Sequence, residues 1–167
     1  HDQFGVSKVQ AGQLTMLAAF LGAALRVMGG WLSDHWGGVN TLTGALAITA
    51  VSMVLCGLAE KSLPVTMLLF LVCFAALGAG NGAVFQLVPL RWPLSTAVAG
   101  SMIGEIRALG GGLIPNGMGF SRQYTGTYLW GFVGIAACAA AMLVLLRVMQ
   151  IRWTRTWAEK GGRARSA

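Results

Sequence analysis

Charge is what this chain lacks. Of its 167 residues, twelve are Lys or Arg and five are Asp or Glu, 10% in all. A soluble domain carries about a quarter charged residues, and so few charges cannot dress a water-facing surface of this size. An ordinary cytosolic enzyme and a disordered tail are thereby excluded. Cysteine is scarce too. Cys56, Cys73 and Cys138 stand singly in apolar stretches, and no ligand spacing joins them to His1 or His35, so neither a disulfide scaffold nor a metal centre is expected. Ser-His-Asp, Cys-His and paired-carboxylate arrangements are also missing, which leaves catalysis without candidate residues and implies no cofactor. What the chain does have is 56% hydrophobic residues, 24 glycines and a mean hydropathy of +0.68. That is the composition of a bilayer protein.

A bilayer core about 30 Å thick needs roughly 20 apolar residues per helix. Five windows qualify: 11–33, broken only by Arg26; 41–59; 62–90; 93–120, which holds Glu105 and Arg107; and 123–146. Segments of alternating polarity, as in a transmembrane barrel, do not occur. The expected fold is an all-α, polytopic helix bundle of five spans. Residues 1–10 form an outer loop or the end of a preceding helix, and 147–167 a basic tail. The first window is too long for a signal peptide, and a start at His1 suggests a piece of something longer. With the C-terminus in the cytoplasm, Arg91, Arg147, Arg152, Arg155, Lys160, Arg163 and Arg165 lie inside, against Lys8, Lys61 and Arg122 outside, which favours that orientation. The formal charge of +7 comes largely from the tail. It fits topology and anionic lipid; nucleic-acid binding would need a basic face on a soluble fold.

Polar residues inside the spans are the functional candidates. Burying an Arg at bilayer depth costs about 2.5–3.5 kcal/mol on insertion scales, so Arg26 needs a partner, a ligand or a wet cavity. It lies roughly 11 Å below the edge that begins near Asp34, a long reach for snorkelling; substrate binding and a structural ion pair are the other readings. Glu105 and Arg107 are two apart and cannot pair well with each other, which leaves structural pairing or a part in coupling or the anion path. Asn81 sits in Gly78-Ala79-Gly80-Asn81-Gly82. No strand-turn-helix context or GK[ST] supports a phosphate loop, so its amide either glues helices or lines a site. The fourth window carries Gly100, Gly104, Ala108 and Gly112 at four-residue steps, with Gly110 and Gly111 beside them. Such a stripe invites close approach of a neighbouring backbone, and Pro115 removes a helical hydrogen bond and should kink the outer third.

Three motifs carry a family resemblance. Gly30 through Gly38 (GWLSDHWGG) resembles the cytoplasmic loop signature of the major facilitator superfamily, roughly G-x-x-x-D-R-x-G-R, with Gly30 and Asp34 matching and His35 and Gly38 in place of basic residues. Those departures fit the weaker copy in the second half of such transporters. Gly80 through Pro89 (GNGAVFQLVP) resembles helix 10 of the nitrate/nitrite porter family, and Gly104 through Gly119 resembles its glycine-rich signature in helix 11. The resemblance covers essentially the whole chain and implies helices 8 to 12, the C-terminal part of a transporter whose first seven helices precede it.

The resemblance further implies a multi-pass protein of a bacterial-type inner membrane that moves nitrate or nitrite, for assimilation or exchange, by alternating access. Its partners would be the small inorganic anion, the lipid bilayer and the N-terminal half of the same transporter, with no nucleic acid. Arg26 matches an arginine that helps clamp the anion, its partner arginine coming from helix 2. Gly104, Gly110 and Gly111 match signature glycines that line the substrate path, and Gly30 and Asp34 match the loop signature, in which the acidic residue latches the inner gate. From the residues themselves, Asn81 is a further substrate-binding candidate and Pro115 a gating one, while Glu105 and Arg107 depart from the small residues usual in the family and are candidates for coupling. Guanidinium is a planar fork of donors that suits a flat oxyanion. A porter for another small anion or organic acid, and a non-transporting anchor or sensor module, remain the alternatives.

Overall fold

The computed structural model describes residues 7–59, 62–156, 158 and 161–162. The Glu60–Lys61 connection, the outer residues 1–6 and the tail cations Lys160, Arg163 and Arg165 lie outside the described residues. Five helices follow one another: α1 (Lys8–Trp36), α2 (Gly38–Leu58), α3 (Leu63–Arg91), α4 (Thr96–Thr125) and α5 (Leu129–Thr156). All five are long and apolar enough to cross a membrane, and the described residues contain no strand. The chain is a multi-pass helix bundle.

Local chemistry sets the helix ends. Ser7 caps α1 with a reciprocal pair: its Oγ accepts from the Gln10 amide at 3.2 Å, and its own N–H donates to Gln10 Oε1 at 3.1 Å. The turn between α1 and α2 is a single residue, Gly37, whose φ of 90° is open to glycine and strained for other residues. Pro64 sits in the first turn of α3, where its missing N–H costs nothing. Gly126, at φ 76°, ends α4 in the left-handed conformation.

Helix ends and sequence windows differ at several places: the connection expected over 34–40 shrinks to Gly37, and two further differences fall at polar residues. The polar pair Ser121–Arg122, expected between the last two spans, lies inside α4, which continues to Thr125 and stops at Gly126. In the same way α5 runs on to Thr156, so Arg147, Arg152 and Arg155 stand on a helix. Nothing between Gly134 and Thr156 breaks a helix, and a helix can leave the apolar layer without ending.

α3 is the central element, packed extensively on α1 and α2, with α5 against the far side of α2. Met53, Cys56, Cys73, Phe132 and Ala136 form one core cluster between α2, α3 and α5, and Val39, Leu87 and Leu146 form a second. Cys138 faces outward, unlike the two buried cysteines. Outward faces carry Phe20, Val27, Leu68, Val144 and Ile151, as expected where the surroundings are lipid. α4 stands apart: it touches α5 and α3 at few places and buries no residue.

The α1–α3 crossing is a contact of backbones. A Cβ on Gly29 would overlap the Ala79 backbone, one on Gly78 the Gly22 carbonyl, and one on Gly82 the Arg26 carbonyl; from Gly82 it would also lie 2.6 Å from the Gly30 nitrogen. The α4 stripe is different. Nothing lies within 4 Å of a Cβ built on Gly104, Gly110, Gly111 or Gly112. Close approach was expected there, yet Gly22, Gly29, Gly78 and Gly82, which bring helix backbone against helix backbone, are on α1 and α3.

Candidate functional site

The close crossing decides where Arg26 and Asn81 meet. Gly82 lies against the Arg26 backbone, so the neighbouring Asn81 amide falls within reach of the Arg26 side chain. Amide orientation is assigned from hydrogen bonding. With Oδ1 toward the cations, Asn81 accepts from Arg26 Nη2 at 3.3 Å and from Arg107 Nη1 at 2.9 Å. Three polar residues from three helices, α1, α3 and α4, thus converge on a single carbonyl oxygen.

Their depths agree. Arg26 lies about ten residues before the end of α1, Asn81 about ten before the end of α3, and Arg107 about eleven after the start of α4. At 1.5 Å per residue each is ~15 Å from the same end of the bundle. The three residues therefore lie at one level, well inside the apolar helices. Arg26 and Arg107 are exposed and Asn81 is half-buried, so the cluster opens outward from the bundle and is no part of its core.

The electrostatics are unbalanced. Two guanidinium groups share one neutral acceptor, and no carboxylate among the described residues pairs with either. Glu105 is offset by two positions from Arg107 and points to another side of α4. Asp34 sits two turns beyond Arg26 on α1. Uncompensated cations at bilayer depth are expensive, and an anion would relieve them. The described residues include no group of three His, Cys, Asp or Glu able to hold a metal.

The other sequence candidates fall around this cluster. Gly104, Gly110 and Gly111 are three before, three after and four after Arg107, and residues three and four apart share a helix face; they flank Arg107 with bare backbone. Gly30 follows Arg26 by one turn, and a Cβ there would meet nothing within 4 Å. Asp34 is exposed in the last turn of α1. Beside it the His35 ring lies over Trp31, centroids 4.4 Å apart, and Nδ1 donates to the Trp31 carbonyl at 2.9 Å. Pro115, eight residues beyond Arg107, leaves the Gly111 carbonyl without its helical donor.

Two features escaped the sequence reading. The first is the Arg107–Asn81 contact, which joins distant parts of the chain; equal distances from helix ends were the only trace of it. The second is the cap on α2. The Gly161 carbonyl accepts from the Val39 amide at 2.9 Å and the Asn40 amide at 3.3 Å, and the Gly162 carbonyl accepts from Gly38 at 3.4 Å. Gly161 and Gly162 have φ of 84° and 81°, and Arg147 Nη1 donates to Asn40 Oδ1 at 3.4 Å. The first turn of α2, close in the chain to Asp34, is thus closed by residues that follow α5.

Comparison with known proteins finds relatives named as nitrate transporters and as a nitrate/nitrite antiporter. The chain is 27% identical over 146 residues to the probable nitrate transporter NarT of Staphylococcus aureus, covering 87% of this chain and 37% of that protein. It is 28% identical over 148 residues to the probable nitrate transporter NarT of Staphylococcus haemolyticus, covering 89% and 36%. To the probable nitrate/nitrite antiporter NarK1 of Thermus thermophilus it is 26% identical over 144 residues, covering 75% and 32%. The chain spans about a third of the length of the curated relatives it matches. No family model and no solved structure matches it. These relatives are transporters by name, not enzymes, and they bear the function implied by the two glycine motifs.

Proposed function

We propose that this chain is the C-terminal part of a nitrate/nitrite transporter of the major facilitator superfamily, with Arg26 as its anion-binding residue. The observation that carries the reading is the Arg26 guanidinium deep within an apolar helix, held by Asn81 with no carboxylate among the described residues to neutralise it. The substrate is taken from the names of the relatives and from the fit of a planar fork of donors to a planar oxyanion. An N-terminal half supplies the opposite wall of the site and a second arginine, and the two halves rock about it. The exposed face of α4, bare at Gly104, Gly110 and Gly111, is where that half packs. Gly30, Asp34 and Pro115 belong to the moving parts: the α1–α2 junction at the inner surface and the weakened outer third of α4. The physiological role is nitrate uptake for assimilation, or exchange of nitrate for nitrite, across a bacterial-type inner membrane.

The C-terminus is cytoplasmic in this reading, since Arg91, Arg147, Arg152 and Arg155 then lie on the inner side. Reporter fusions after residue 162 test it: a cytoplasmic reporter is active there and a periplasmic one silent.

Uptake of isotopically labelled nitrate into proteoliposomes holding the complete transporter tests the function. Arg26→Lys keeps the charge but loses the planar fork, and uptake should fall by roughly tenfold or more, as expected for a lost charge-assisted hydrogen bond. An unchanged rate would remove Arg26 from the anion path and favour an anchor or sensor module. Glu105 is the coupling candidate. In Glu105→Gln, pH-driven uptake should be lost while nitrate/nitrite exchange persists; equal effects on both would take coupling away from it.

A further inference from the structure

Away from the anion site, a cavity of about 380 Å³ between α2, α3, α4 and α5 has one polar end and one apolar end. Arg91, Trp92 and Trp153 line the polar end, where α3 finishes and α4 has yet to begin. Val84, Ile103 and Met149 line the apolar end. Each of these three is seven residues in from that end of its helix, ~10 Å at the helical rise. Apart from Arg91 and the two indole N–H groups, the described lining is hydrocarbon and thioether, which gives water too few partners to settle there. An empty space of this size forfeits dispersion contacts along its walls. The filling is therefore apolar, and around a bundle of membrane-spanning helices the apolar material at hand is the lipid acyl chain.

We propose that this cavity binds one anionic phospholipid, its phosphate at Arg91 and part of one acyl chain between Val84, Ile103 and Met149. The lining changes from polar to apolar over the same distance as such a molecule does. The Arg91 guanidinium lies 5.7 Å from the centroid of the Trp92 ring, a cation–π contact that uses the face of the guanidinium plane, whereas a phosphate is taken by the N–H donors along its edge. Tryptophan is the residue type that settles at headgroup level, and two of them flank the polar end. Arg147, Arg152 and Arg155 stand at the same end of the bundle, which favours a headgroup of net negative charge over a zwitterionic one; basic pockets between spans are where acidic lipids bind. Ile103 belongs to α4, which packs sparsely on the other helices, so the chain supplies part of the packing that α4 lacks. The site concerns the fold of these helices and stands whichever anion the transporter carries.

The test is photo-crosslinking in the purified complete transporter, held in phosphatidylcholine nanodiscs with a small fraction of a probe lipid. The probe carries a diazirine on one acyl chain and is either a phosphatidylglycerol or a phosphatidylcholine; labelled residues are read by mass spectrometry. Label at Ile103 and Met149 should be about fivefold higher with the phosphatidylglycerol probe. Label at Val144, which faces outward on α5, should not depend on the headgroup. This comparison needs no variant. Val84→Phe and Ile103→Phe fill the cavity from two different helices, and in both the label at Met149 should fall several-fold while Val144 is labelled as in the parent. Arg91→Gln should bring the phosphatidylglycerol signal at Met149 down to that of phosphatidylcholine. Label at Met149 unmoved by both filling variants overturns the cavity as its source. Equal labelling of Met149 by the two probes in the parent overturns the anionic headgroup. Competition by a free fatty acid but not by excess unlabelled phosphatidylglycerol overturns the phospholipid as occupant.

Discussion

A methyl group distinguishes the two sets of glycines. At Gly29 and Gly82 an added Cβ would run into backbone of the opposing helix, and backbone cannot swing aside as a side-chain tip can. Gly29→Ala and Gly82→Ala should each force α1 and α3 apart at a cost of about 1–3 kcal/mol. The loss is read as a lower melting temperature of the purified chain in detergent. Gly111→Ala is the contrast. Nothing lies near that position, and removing a glycine from a helix interior gains about 0.5–1 kcal/mol, so the melting temperature of this chain should hold or rise. If α4 packs on an N-terminal half as proposed, uptake by the complete transporter falls all the same. The sequence drew attention to the stripe on α4 because its four-residue steps are unbroken. The working set, Gly22 and Gly29 on α1 with Gly78 and Gly82 on α3, was equally present but less regular, with Arg26 standing among the small residues of α1. Spacing alone cannot say which glycines find a partner.

At the scale of the helix, α4 is tied by hydrogen bonds at its C-terminal end. Ser121 Oγ donates to the Thr127 carbonyl at 3.0 Å and accepts from the Gly131 amide at 3.0 Å, tying α4 to the start of α5, and the side chain of Arg122 donates to the Gly126 carbonyl. Toward its N-terminal end an apolar cavity of about 380 Å³ lies between Leu42 of α2, Val84 and Leu87 of α3, Ile103 of α4 and Met149 of α5. An element pinned at one end and underpacked at the other is suited to pivot. Ser121→Ala should loosen the pin by about 1–3 kcal/mol, the cost of leaving its partners unsatisfied, and a fall in melting temperature measures it. The five helices themselves were legible, because hydropathy dictates them. Their ends were less so. Charges mark where a helix meets water, whereas Gly37 and Gly126 mark where the backbone turns, and at Ser121–Arg122 and after Leu146 those positions do not coincide.

Across the whole molecule, the candidate site was legible as residues but not as an arrangement. Arg26, Asn81 and Arg107 each stood out as polar groups in apolar windows; that they share one oxygen depends on three helices crossing at one depth, which no local pattern encodes. The cap on α2 is non-local in the same sense. Val39 is 1% exposed beneath Gly162 and the second core cluster. A Cβ on Gly161 would lie 2.5 Å from Asn40 Nδ2, at a φ of 84° that disfavours any side chain. Gly161→Ala should therefore release the cap. In a background with Cys138→Ser, Val39→Cys should react slowly with a membrane-impermeant thiol reagent, and several-fold faster once Gly161→Ala is added, because protection follows the closed population.

That cap also orders events in time. Gly38, Val39 and Asn40 emerge from the ribosome before α3, α4 and α5, but the carbonyls that satisfy their amides belong to Gly161 and Gly162, translated after all five helices. Helix α2 can enter the membrane with its first turn unfinished, and only the last described residues complete it. Insertion and maturation are then two separate steps of biogenesis. A ribosome that stalls after α5 would leave behind a protein threaded correctly through the bilayer whose α1–α2 hairpin is still open at its turn.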